Sequence, residues 1–202
     1  MSTPREPQPG KALLSVLAEE SWWDAGAGGG WLPLHEELVR RFGPVDYKSG
    51  LLPFDHTGYY EEELGRPLFR RILGFERLLP LDGLPGMKLA TNALEKAHAR
   101  PSGSRRVNLD PGVLTLERLV LASGKNFTHR VYLGQGIWAD LTLIYSKREG
   151  WVTLPWTFPD YATEDMQRRL TALRSLYKTA IEGSATADGQ NSRPEQGDTP
   201  CP

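Results

Sequence analysis

Apolar positions change their spacing from segment to segment along this chain, and the spacing predicts the elements. Leu13 to Ala18 is a short apolar run after Pro and Gly and predicts a buried first strand. Trp31, Leu34, Leu38 and Phe42 recur at helical intervals, so residues 31–42 predict a helix, with Gly43 and Pro44 as its stop. Between them lies Gly26-Ala27-Gly28-Gly29-Gly30, which lacks the Lys-Ser/Thr end of a phosphate loop and reads as a flexible connection. Val45 to Phe54 predicts a second strand and Asp55-His56-Thr57-Gly58 a turn. In Leu68 to Leu79, Phe69, Leu73 and Phe75 fall near one face and Arg70, Ile72 and Glu76 on the other, a third strand. Leu84, Met87, Thr91, Leu94 and His98 predict a helix over 84–98. Arg106 to Leu109 predicts a short fourth strand, stopped by Asp110-Pro111-Gly112. This order is that of a ferredoxin-like split βαβ unit.

The remainder extends that unit. Val113 to Ser123 fits a helix or a strand. Thr128 to Leu133 and Ile137 to Lys147 predict an antiparallel β-hairpin across Gly134-Gln135-Gly136. Gly150 to Leu154 could add a strand, and Pro155 to Tyr161 is an irregular aromatic segment. The last element is a C-terminal amphipathic helix, capped by Thr163, with Met166, Leu170, Leu173, Tyr177 and Ile181 as its apolar stripe. Residues 183–202 contain no Ile, Leu, Val, Met, Phe, Trp or Tyr and read as a disordered tail; residues 1–10 read as a flexible N-terminal segment. The expectation is one α+β domain over residues 11–182.

Composition narrows the function classes. With 24 Lys and Arg against 25 Asp and Glu, the net charge of −1 gives no general attraction to nucleic acid. No run of about 18 apolar residues exists, so no membrane partner is expected. The start carries no apolar signal core, and the lone cysteine, Cys201, allows no disulfide; both point to the cytoplasm. The 21 glycines and 16 prolines are roughly half as many again as an average chain of this length carries, which favours a loop-rich domain. Familiar machinery is missing from the sequence. It has no GxxxxGK[S/T], no GxGxxG after a strand, no HExxH and no GxSxG. His56 and His129 do not complete the paired His-x-Thr/Ser motifs of phosphoesterases with this topology.

Several strings occur together in order. They are Pro53-Phe-Asp-His-Thr-Gly-Tyr-Tyr-Glu-Glu-Glu, Lys88-Leu-Ala-Thr-Asn-Ala-Leu-Glu, Val107-Asn-Leu-Asp-Pro-Gly, Lys125-Asn-Phe-Thr-His-Arg-Val-Tyr-Leu-Gly and Pro155-Trp-Thr-Phe-Pro-Asp-Tyr. In this order and spacing, over about residues 10–180, the chain resembles the bacterial and archaeal family known as domain of unknown function 4416. The resemblance implies a prokaryotic protein. It implies no activity and no catalytic residues.

Candidate chemistry therefore comes from the residues themselves. Asp55, with His56, Tyr59 and Tyr60, would bind a polar ligand or cation at a strand end, or would form an Asx turn with tyrosines packing a corner. Asn108 and Asp110 alternate onto one side of a strand and would hold a ribose, an ammonium group or a metal, or Asp110 would cap the Pro-Gly turn. Asp55 and Asp110 together are the only suggestion of a divalent cation. Lys125 and His129 would face a phosphate or carboxylate, leaving Arg130 as a salt-bridge residue on the opposite strand face, or all three would be solvated. Arg70, Arg71, Arg105 and Arg106 read as solvated basic pairs. Trp156, Asp160 and Tyr161 would close over a base or sugar, or would wrap the structure ahead of the last helix.

The functional expectation is that Asp55, Tyr60, Asn108, Asp110, Lys125 and His129 converge on a pocket for an anionic small molecule, such as a nucleotide or phosphorylated metabolite. The other class is a non-enzymatic protein-interaction module, recruiting a protein partner through the Pro155 to Tyr161 segment or an open sheet edge. The sequence assigns no cofactor and does not decide between enzyme and binder.

Overall fold

The first strand organises everything that follows. In the computed structural model, which describes residues 2–24, 29–55 and 57–190 with side chains as far as residue 183, β1 (Gly10–Glu19) is paired on both sides. Ala12, Leu14, Val16 and Ala18 point to one face, and Leu13, Ser15 and Leu17 to the other, as the two-residue strand period requires. A strand buried on both faces is mostly apolar, which is why Leu13 to Ala18 does not alternate, Ser15 being its one polar residue.

Helix α1 (Trp31–Phe42) and helix α3 (Leu84–Ala97) cover the first face, with Trp31, Leu34, Leu38, Met87 and Leu94 in one cluster with the even-numbered residues of β1. Strands β2 (Val45–Lys48), β4 (Leu68–Leu79) and β5 (Val107–Leu114) complete the split βαβ unit, in the order β2-β4-β1-β5 with every adjacent pair antiparallel. Four further strands extend it: β6 (Arg118–Ser123), β8 (Ile137–Ser146), β7 (Arg130–Gly134) and β9 (Gly150–Thr153), giving β2-β4-β1-β5-β6-β8-β7, with β9 also on β8. The expected α+β domain is present, with a larger β extension than one hairpin. The glycine connection lies partly outside the described residues, at 25–28, and His56 lies outside them too.

The second strand divides in two. Instead of one strand over 45–54, β2 and β3 (Leu52–Pro53) pair separately with β4. The Ser49 hydroxyl accepts from the Ile72 N–H (2.9 Å) and donates to the Gly50 carbonyl (2.7 Å), so a side chain interrupts the ladder. A single turn, α2 (Glu61–Leu64), follows.

The fourth strand does not stop at Asp110-Pro111-Gly112. β5 runs through it, paired with β1 from Val107 to Leu114. Only Gly112, Val113 and Leu114 pair with β6. Pro111 has no N–H to give to a further rung, so the β5–β6 ladder ends there. Gly112 is the point of closest approach: a Cβ on it would sit 2.7 Å from Leu121 Cδ2 and 2.9 Å from the Val120 carbonyl oxygen. The ambiguous segment 113–123 thus resolves into the end of β5, a turn at Thr115–Glu117 and β6.

Helix α4 (Glu164–Gln190) packs on the second face. Thr163 caps it, its hydroxyl accepting the Met166 N–H at 3.3 Å. Met166, Leu170, Leu173 and Tyr177 are buried, and Leu173 rests directly on Gly74 of β4, where no side chain intervenes. The helix continues to Gln190, past the expected boundary at residue 182, because adding residues to a formed helix costs little. Residues 191–202 lie outside the described residues.

Two substitutions test this architecture. Gly112→Ala pushes a Cβ into the β6 backbone and should cost about 1–3 kcal/mol, lowering the melting temperature by roughly 2–4 °C for each kcal/mol. An unchanged melting temperature would mean that β6 does not sit against Gly112. Leu170→Asp places a carboxylate in the α4 core and should prevent soluble folding. A folded mutant with native circular dichroism would place the stripe on the surface.

Candidate functional site

β5 keeps pairing with β1 after β6 has turned away with β8, so the sheet splits beyond Gly112. The free edge of β5 is sealed by helix α3. Lys88 Nζ donates to the Leu109 carbonyl at 2.8 Å, and the Glu95 carboxylate accepts the Leu109 N–H at 2.6 Å. Two side chains thus replace the missing strand at Leu109. Burial pushes the Glu95 pKa up, against the pull of Lys88.

A cavity of about 760 Å³ occupies the split. Its walls are Asn108 and Asp110 of β5, the end of β6 and the loop after it from Leu121 to Lys125, Arg130 and Asp140. Lys88, Asn92 and Glu95 line it from the α3 side; Tyr59 and Tyr60 close one flank, and Phe158 to Tyr161 the other. A smaller hollow of about 340 Å³ lies by Trp22 and Arg100, whose guanidinium is spent on the carbonyls of Glu63, Leu64 and Arg105.

Charges in the cavity come in pairs. Asn108 Nδ2 donates to Asp110 Oδ2 at 2.7 Å, and Lys88 Nζ donates to Asp110 Oδ1 at 3.2 Å. Arg105 donates to Asn108 Oδ1 at 2.8 Å and grips Glu63 with two bonds of 2.8 and 2.6 Å. That bidentate bond raises the Arg105 pKa and lowers that of Glu63. Arg70, 5% exposed, pairs with Asp160 and lies over the rings of Phe54 (4.6 Å) and Tyr161 (5.4 Å). Burial raises the Tyr161 pKa. Asp140, 2% exposed, accepts from Arg130 Nε (2.9 Å), from His129 Nε2 (3.1 Å) and from Thr142 Oγ1 (3.3 Å).

Lys125 differs from the other cations. Its ammonium donates to the Tyr59 hydroxyl at 2.7 Å across the cavity mouth, and among the described residues no carboxylate pairs with it. The bond lowers the Tyr59 pKa.

The six residues singled out from the sequence divide accordingly. Tyr60, Asn108, Asp110 and Lys125 line the cavity together. Asp55 is exposed and does not line it, so it forms no cation pair with Asp110. Among the described residues no group of three His, Cys, Asp or Glu is placed to hold a metal ion. His129 stands behind the wall, stacked on Trp156 with ring centroids 4.9 Å apart and bonded to Asp140. Because β7 begins only at Arg130, His129 escapes the strand alternation, and both residues reach Asp140. Arg130, not His129, lines the cavity. Asp110 is not held by a turn; it sits within a strand.

Sequence reasoning missed Arg70, Lys88, Asn92, Glu95, Arg105 and Asp140. For Arg70 a signal existed: it shares a strand face with Leu68 and Ile72, both buried, so it could not be a solvated charge. Asp140 likewise interrupts an apolar strand. Trp156 donates to the Leu141 carbonyl at 2.8 Å and Tyr161 is buried, so these rings wrap the sheet before α4. Among the described residues no helix is long and apolar enough to cross a membrane.

No curated protein and no solved structure matches the chain. The family model described as Domain of unknown function (DUF4416) matches residues 12–177, from β1 to the buried Tyr177 of α4, and the chain belongs to that family.

Proposed function

We propose that the split sheet binds a small anionic molecule, held at the cavity mouth by Lys125 with Arg130 beside it. The reading rests on which groups have hydrogen-bonding capacity left. The cavity carboxylates Glu95, Asp110, Asp140 and Asp160 each face a cation of the protein. Lys125 spends one donor on a neutral phenol. The Arg130 guanidinium uses Nε on Asp140 and Nη1 on the Lys125 carbonyl, leaving Nη2 without a bond to the described residues. Donors in excess of acceptors favour an oxygen-rich, negatively charged guest. The volume falls in the usual range for small-molecule sites.

Asp110 in this arrangement is a positioning residue: it holds Asn108 and neutralises Lys88. A thermal-shift titration at low salt with ribose 5-phosphate, glucose 6-phosphate and citrate tests the reading, each variant against its own baseline. At least one probe should stabilise the parent, and Lys125→Met should weaken it roughly tenfold or more, the worth of a charge-assisted bond. Asp110→Asn strips Lys88 of its counter-ion and should tighten the same probe while lowering the unliganded melting temperature. No stabilisation by any probe, or full binding by Lys125→Met, would overturn the proposal.

A protein-interaction reading draws on one observation. The sheet ends at β7, where Val131, Tyr132 and Leu133 are exposed, with Phe127 beside them. An apolar edge strand invites pairing with another chain. Concentration-dependent association by sedimentation velocity, abolished by Val131→Lys, is its expected signature; a monomer at all concentrations removes self-pairing.

A further inference from the structure

Helix α3 turns Lys88, Asn92 and Glu95, spaced four and three residues apart, toward the free edge of β5. The outer two are consumed there by the Leu109 carbonyl and N–H. Asn92, between them and half-buried, lines the cavity, and its side-chain amide makes no hydrogen bond to any described residue. The Tyr60 hydroxyl also makes none, although its ring packs on Phe54 and Tyr59. A phenol is already protonated at neutral pH, and burial pushes the Tyr60 pKa further up, to about 12, so its O–H is free to donate to a guest.

The cavity therefore has two kinds of unspent group: cationic donors at Lys125 and Arg130, and neutral ones at Asn92 and Tyr60. A side-chain amide offers an N–H and a C=O in one plane, the pattern that pairs with the donor–acceptor edge of a nucleobase. Resting on the anion reading above, we infer that the ligand is a nucleoside phosphate, its phosphate on Lys125 and Arg130 and its base edge read by Asn92. Phosphate sugars lacking a base satisfy only the first pair of groups. An unfilled amide in a half-buried wall then discriminates between the two classes, because leaving it unpaired against the wrong guest forfeits its hydrogen bonds.

Isothermal titration of the full chain with AMP, GMP, CMP and UMP, and with ribose 5-phosphate as the base-free control, tests this. At least one nucleotide should bind roughly tenfold or more tightly than ribose 5-phosphate. Asn92→Ala removes no hydrogen bond of the folded protein and raises helix propensity, so it should fold as the parent does. It should reduce the nucleotide preference to less than about threefold while leaving ribose 5-phosphate unchanged. Lys125→Met should weaken both ligands in parallel. If ribose 5-phosphate binds as tightly as every nucleotide, or Asn92→Ala keeps the preference, base recognition is wrong and the anion site stands. If neither class binds, base recognition is wrong, and the anion reading falls with it when glucose 6-phosphate and citrate fail as well.

Discussion

The architecture around the cavity depends on a single dipeptide, Pro111-Gly112. At Gly112 two strands approach so closely that a side chain would strike the opposing backbone. One residue earlier, Pro111 withholds the N–H that would carry the ladder on. β5 stays with β1 and β6 stays with β8, so the sheet opens between them. A split inside a continuous sheet gives a cleft with two rigid walls, better suited to fixed side-chain geometry than a cleft made of loops.

An opened sheet leaves polar backbone exposed to a partly buried space, and the sequence meets that need from the opposite layer. Lys88 and Glu95 reach the Leu109 carbonyl and N–H from helix α3. Their charges must then be balanced, by Asp110 for Lys88 and by Arg105 for Glu95. Arg105 in turn ties the wall to Glu63, at the helical turn that follows Tyr59 and Tyr60. The ion pairs thus form a chain of consequences from one missing strand. Removing Asp110 or Arg105 would leave Lys88 or Glu95, both buried, short of a counter-charge, which costs more than the pair contributes. Sealing Leu109 also bars an incoming peptide from adding as a strand at that position, which favours a small guest.

Lys125 stands apart because it belongs to a loop at the far side of the opening rather than to this chain of ion pairs. Its contact with Tyr59 joins the two flanks of the mouth. A solvated hydrogen bond to a phenol holds it only weakly, so a guest carrying negative charge competes well for the ammonium.

Most of the element order was legible in the sequence, because apolar periodicity reports burial and burial is what the layers share. The α1, α3 and α4 stripes, the β1 run and the split βαβ order all follow from spacing alone. The alternation of Asn108 and Asp110 onto one side also follows from it, and their 2.7 Å bond realises it. Tertiary structure decided the rest. Asp110-Pro111-Gly112 has the composition of a turn, and only the pairing of β1 along its whole length holds it extended. His129 and Arg130 reach one carboxylate because β7 starts at Arg130, two residues later than the expected Thr128. Arg70, Lys88 and Arg105 look like solvated charges in one dimension; their partners Asp160, Asp110 and Glu63 lie 90, 22 and 42 positions away. Local sequence specifies which way a side chain points, through backbone periods of 2 and 3.6 residues. Which charge it meets there is set by strand pairing between distant segments, and that information appears only when the chain has folded.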